Sequence, residues 1–178
     1  MTPEKKGIEP TYFMQHASLL THDDNGREFE YRYWASQDGT VYNESTNNFL
    51  EPQERHRSNG ELKALTVSLF RKGSKKPYNY RVHRLVAFAW LPIPIYYQLN
   101  NMAAKDLVVH HLDYQPSNNC VDNLKWASPR KHRHIHARND ALGITSFSKR
   151  SHQRYRNMVD ADKIKPEPDE RDKEMAEQ

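Results

Sequence analysis

Aromatic and polar residues alternate along 29-FEYRYWAS-36, the two-residue period of a half-buried strand, and the turn signal 37-QDGT-40 leads into a second extended run, 41-VYN-43. This pattern predicts a hairpin. Beyond a loop around Pro52, strands are predicted at 62-LKALTVSLF-70 and 78-YNYRV-82, set off by turns at 58-SNG-60 and 72-KGSKK-76. One small, twisted antiparallel sheet accommodates all of these strands. Upstream, the apolar patch 12-YFMQHASLL-20 reads as a short helix or strand docking on the body. At 83-HRLVAFAWL-91 the period becomes helical, with Leu85, Val86, Ala89 and Trp90 near one face, and Pro92 and Pro94 end the helix. Val108 and Val109 then lead to His110 and His111. The segment 113-DYQPSNN-119 makes a tight reversal, 120-CVDNLKWAS-128 a second short strand or turn, and 129-PRKHRHIHARND-140 a helix with Ser128 as N-cap and Pro129 at the first helical position. The order is strand, turn, strand, helix.

Composition narrows what such a chain can be. Its 178 residues suffice for one ordinary domain or a small one with appended modules, and with 36% hydrophobic and 28% charged residues the core is modest. Mean hydropathy is −1.03. A single cysteine, Cys120, excludes an internal disulfide and any Cys-based zinc finger. The start, 1-MTPEKKGIEP-10, has no apolar signal region and no window approaches a membrane span, so the expectation is a cytoplasmic protein, neither secreted nor membrane-bound; a phage-encoded chain would act in the host cell cytoplasm. The formal charge of +4 and pI near 9.1 point weakly to a polyanionic partner. Distribution says more: Lys125 to Arg156 holds nine Lys and Arg against one acid, Asp140, whereas Asp160 to Gln178 holds eight acids against four bases. The positive charge therefore gathers beside the histidines. No Walker-type loop, Gly-x-Ser-x-Gly turn or His-Glu-x-x-His helix is present.

His110 and His111 before an Asn-rich turn, with His132, His134 and His136 following, either share one site or belong to a wet basic surface. His110 and His132 can converge across the strand-to-helix junction, with Asn123 between them in sequence. The stretch 82-VHRLVAFAWLP-92, followed by 108-VVHHLDYQPSNNCVDNLKWASPRKH-132, resembles the HNH nucleases of phages and mobile introns in residue types and in spacing. Residues 29–81 are more loosely similar to the strand-rich module that precedes the motif in such proteins.

The resemblance implies an α+β protein in which a small antiparallel sheet module precedes a ββα-metal (HNH) core. It makes His111 the general base, His110 and His132 the protein ligands of one divalent metal ion, and Asn123 the residue whose amide orients the base. A histidine suits the first role because its ordinary pKa of about 6.5 lets it accept a proton at neutral pH. Adjacent residues on a strand point in opposite directions, so one imidazole can face metal and the other water. Asp113, Asn118 and Asn119 fall in the turn. Arg84, Lys125, Arg130, Lys131, Arg133 and Arg138 are candidates for phosphate contacts on double-stranded DNA. Two departures from the family stand out. Imidazoles fill both ligand positions where many relatives carry Asp or Asn, which favours Mn, Ni, Co or Zn alongside Mg. Tyr114 stands where Gly is usual, which disfavours a positive φ.

Each feature also has a structural explanation. His134, His136, His16, His22, His56 and His152 read as solvent-facing, His83 as a helix-start or DNA-facing residue, and Leu85, Val86, Ala89, Trp90, Leu124 and Trp126 as core. The basic run is also compatible with a solvated face. The expected organisation is an N-terminal segment (1–28), a β-rich module with a possible DNA-binding role (29–81), the nuclease core (82–140), a basic extension in reach of DNA (141–158) and an acidic tail (159–178). The expected function is metal-dependent DNA nicking or double-strand cleavage of the homing type, with a homodimer as one route to cutting both strands. The alternatives are a catalytically silent HNH-fold protein in a phage or ribonucleoprotein assembly, and a structural zinc module, which normally needs four closed ligands.

Overall fold

The sheet region is built as the alternation requires. The structure of the protein, a computed structural model, describes residues 9–141. Among these, chain contacts define two units: residues 9–105 with 109–126, and residues 106–108 with 127–141.

In the first unit, β1 (Ala17–His22), β2 (Glu28–Ser36), β3 (Val41–Asn43) and β4 (Asn48–Phe49) form an antiparallel sheet in that order. Phe29, Tyr33 and Ala35 of β2 are buried while Glu28, Glu30 and Arg32 are exposed, the two-residue period visible in the sequence, broken only at Tyr31, which is exposed. The β2–β3 hairpin pairs Tyr33 with Asn43 and Ala35 with Val41. The upstream apolar patch is both of the things it resembled: a short helix, α1 (Pro10–Gln15), and then β1. Phe13 of α1 is buried, its ring 5.7 Å from that of Tyr42 and 5.0 Å from that of Phe49.

The remaining strands do not join this sheet. β5 (Gln53–His56), β6 (Leu62–Phe70) and β7 (Pro77–Arg81) form a separate three-stranded antiparallel sheet, so the single sheet expected from sequence is two. Pro52, between β4 and β5, has no N–H with which to continue a ladder. Contacts between the two sheets include an isolated bridge, Phe29 to Arg71, the Phe70 N–H donating to the Tyr33 hydroxyl at 3.1 Å, and the Phe29 and Tyr80 rings 5.3 Å apart. Asp23, 2% exposed, gathers the β1–β2 turn: it accepts from the N–H groups of Asn25 and Arg27, from the Tyr80 hydroxyl at 3.0 Å, and pairs with Arg71. A buried carboxylate satisfied on so many sides is a fixed point, because an unpaired one carries a large desolvation cost.

Helix α2 (Val82–Trp90) follows β7 directly. Val82, His83, Leu85, Val86 and Ala87 are buried, so the inward face lies toward the helix start; Ala89 and Trp90, expected on it, are only partly covered. Trp90 Nε1 donates to Ala35 O at 3.0 Å, and the helix stops before Pro92 as expected. A short helix, α3 (Ile95–Leu99), buries Tyr97, and a 3-10 turn covers Ala104–Asp106. Two strands, β8 (Val108–His111) and β9 (Leu124–Ala127), then pair, with a 3-10 turn at Val121–Asn123 leading into β9. Trp126 is buried and its Nε1 donates to Leu91 O at 3.2 Å, which ties β9 to the end of α2.

The second unit is mostly helix α4 (Pro129–Ala141). Ser128 caps it as the sequence suggests: its Oγ accepts from the Lys131 N–H at 3.1 Å, and its carbonyl accepts from the His132 N–H at 2.9 Å. The expected basic extension, beyond Ala141, and the acidic tail at 159–178 lie outside the described residues, as do residues 1–8 of the N-terminal segment.

Candidate functional site

The two adjacent histidines sit at the end of β8. His110 is buried, 2% exposed, and His111 is half-buried. His111 Nε2 lies 3.1 Å from Asn119 Oδ1. The amide nitrogen of Asn119 donates in turn to Ser117 O at 3.4 Å, which sets the amide so that its oxygen faces the imidazole. Nε2 therefore carries the proton, and Nδ1 is the acceptor. Burial pushes the His111 pKa below its ordinary 6.5, opposed by the Asn119 hydrogen bond and the Asp113 charge. The ring of His83, from the first turn of α2, meets that of His111 edge to face, with centroids 4.8 Å apart and planes at 83°.

Asn119 is itself held from the sheet. Gly39, in the β2–β3 turn, has φ +90°, and a Cβ there would stand 3.0 Å from Asn119 Cβ and 3.3 Å from its carbonyl oxygen. Only glycine lets this turn lie so close to the backbone of the loop. Two residues earlier in the same turn, Gln37 O accepts from the Val121 N–H at 2.8 Å. Asn119 is 4% exposed as a result.

Asn123 has a different place from the one expected of it. Its Oδ1 accepts from the Asp113 N–H at 3.0 Å, and its Nδ2 donates to Asp113 Oδ1 and to Asn118 O, each at 2.8 Å. The direct partner of His111 is Asn119, and Asn123 shapes the turn that follows His111. Asp113 is the centre of that turn: it also accepts from the Gln115 N–H at 2.8 Å and from Asn118 Nδ2 at 2.7 Å. Partial burial pushes its pKa up, but the hydrogen bonds from Gln115, Asn118 and Asn123 outweigh this and hold it below the ordinary value. Asp113, Asn118 and Asn123 are thus joined by hydrogen bonds across the turn. Tyr114 does adopt a positive φ, +61°, against the expectation for a bulky residue, at a cost of about 1–2 kcal/mol. Its ring lies edge-on to His110 with centroids 5.1 Å apart.

On α4, His132 and His136 are one turn apart, and their Nε2 atoms lie within 3.2 Å of each other. His136, read from sequence as a bystander, shares a face with His132; the i, i+4 spacing was the available signal. A neighbouring row carries Arg130, His134 and Arg138. Burial, then the charges of Arg138 and Arg130, lowers the His134 pKa. Lys125, Arg133 and Arg138 are exposed, and Arg130 and Lys131 are partly covered. Arg84 is not presented as a phosphate ligand: it pairs with Asp24, donates to Ala104 O at 2.7 Å and lies 5.7 Å from the Trp126 ring. Its guanidinium instead serves the interior of the first unit.

Each unit carries imidazole nitrogens able to bind a metal ion: His110 in the first, and His132 and His136, one helical turn apart, in the second. Imidazole nitrogens suit a borderline ion such as zinc or nickel. No helix among the described residues is long and apolar enough to cross a membrane.

No family model matches the chain, and no curated protein does. A solved structure described as DNA binding and cleavage by the HNH homing endonuclease I-HmuI is similar to it, at 24% identity and a TM-score of 0.48, over 78% of this chain and 66% of that one. This chain thus spans slightly less than two thirds of that chain's length.

Proposed function

We propose that this protein is an HNH-type, metal-dependent DNA endonuclease with a ββα-metal core drawn from β8, β9 and α4. The observation that carries the reading is the His111–Asn119 hydrogen bond, which leaves Nδ1 as a proton acceptor on the residue next to His110. A lowered pKa keeps that imidazole neutral at physiological pH. In the proposed reaction a water oxygen attacks the phosphorus and its proton passes to His111 Nδ1. The P–O3′ bond breaks, and the departing oxygen takes a proton from solvent.

By the motif, His110 and His132 are the residues that would hold a divalent ion, and His136 offers a further imidazole one turn from His132. When bound, such an ion supplies charge neutralisation for the phosphate and the leaving oxygen. Asn119 fixes the tautomer of the base, and Asn123 and Asp113 fix the turn behind it. The first turn of α4 places Arg130 and Lys131 at a helix start with no acidic residue, an arrangement unfavourable to the helix dipole unless an anion lies there. A DNA phosphate meets that need, and Lys125, Arg133 and Arg138 extend the basic surface along the backbone.

The test is conversion of supercoiled plasmid in the presence of EDTA, Mg, Mn, Ni or Zn. The expected result is nicked or linear DNA with at least one ion and none with EDTA. No conversion with any ion, while salt-sensitive DNA binding persists, would overturn the enzyme reading and leave a DNA-binding protein.

A further inference from the structure

We propose that Tyr114 is a positioning residue for His110, its ring seating that imidazole in the orientation a metal ion requires. The inference rests on the metal-site reading above. Tyr114 holds a backbone conformation, φ +61°, that Gly or Asn adopts readily and a bulky residue does not. The turn does not ask for a tyrosine. Its hydrogen bonds run from Asp113 to Gln115, Asn118 and Asn123, and from the backbone N–H of residue 114 to His111 O, and Gly or Asn at this position leaves each of them in place. A strained residue persists where its surroundings over-determine it, and such strain clusters at functional sites.

The side chain accounts for itself through what it touches. The Tyr114 ring meets the His110 ring at 5.1 Å with planes at 74°. His110 is 2% exposed, so its ring has little room, and a rigid aromatic edge against it limits rotation about χ2. Neighbours that orient a liganding imidazole commonly change metal affinity by about tenfold or more when removed. The strained turn is thus what carries the ring to the ligand.

Two measurements on the full chain test this: thermal unfolding without metal, and calorimetric titration with Ni²⁺ alone, for wild type, Tyr114→Asn and Tyr114→Phe. In Tyr114→Asn, which suits the backbone but lacks the ring, the unfolding temperature should be equal to or above that of wild type while Ni²⁺ affinity falls about tenfold. Tyr114→Phe should match wild type in affinity within about twofold. The proposal is overturned if Tyr114→Asn binds Ni²⁺ as wild type does. It is equally overturned if Tyr114→Phe loses as much affinity as Tyr114→Asn, or if stability and affinity fall together in Tyr114→Asn, the mark of a merely structural residue. A wild type that binds no Ni²⁺ or other divalent ion contradicts the metal-site reading itself, a separate result.

Discussion

Asn119 decides which nitrogen of His111 can take a proton. With Nε2 committed to the Asn119 oxygen at 3.1 Å, Nδ1 is the basic atom, and burial lowers its proton affinity below the ordinary imidazole value of 6.5. His111 stays neutral to a lower pH than an exposed histidine, so the acid limb of the cleavage profile should fall below pH 6.5. Because the folded pKa is the lower one, the unfolded chain binds the proton first, and His111 should erode stability as pH falls from 6.5 through its folded pKa. Replacing Asn119 with Ala frees the tautomer; the cleavage rate should drop about 100-fold, the scale of a misplaced catalytic group, with Ni²⁺ affinity unchanged because Asn119 is not among the metal donors. A pH–rate profile and a metal titration on the same variant check both parts. Equal rates for Asn119→Ala and wild type would remove Asn119 from the mechanism.

At the scale of elements, the β2–β3 hairpin does more than complete a sheet. Its turn holds Gly39 at φ +90°, against Asn119, so the sheet module braces the loop whose amide meets His111. Gly39→Ala should therefore destabilise the fold by about 2 kcal/mol, from a disfavoured φ and an overpacked contact. It should also lower cleavage at temperatures where the protein is still folded; thermal melts beside rate measurements separate the two. This brace was not legible in the sequence, because it joins residues 80 positions apart and a turn glycine has many uses. The hairpin itself was legible, since 29-FEYRYWAS-36 alternates and 37-QDGT-40 breaks the run. So were α2, with its terminal prolines, and α4, with its Ser-Pro start. The split into two sheets was harder to read, since Pro52 signals only a loop until strand pairing is known. The histidines on α4 show the opposite case. His136 stood one turn from His132 in plain view, but a histidine-rich basic helix offers no contrast between ligand and surface. Asn119 and Asn123 could not be assigned from sequence for a related reason: an Asn-rich turn offers several amides, and packing decides which one meets the imidazole.

For the whole molecule, net charge is a weaker guide than its placement. A formal +4 would scarcely draw DNA if spread evenly, but the bases of α4 and Lys125 lie in the segment that also carries the candidate metal donors. Binding and catalysis are then separable. Phosphate contacts from Lys and Arg should give affinity that weakens with salt, whereas turnover should depend on one imidazole. The most direct test of the account compares wild type with His111→Ala in metal-dependent plasmid cleavage, with DNA binding measured at the same salt. His111→Ala should bind DNA as wild type does and lose cleavage by about 1,000-fold or more, within the range set by general-base catalysis. Cleavage by His111→Ala at the wild-type rate would contradict it.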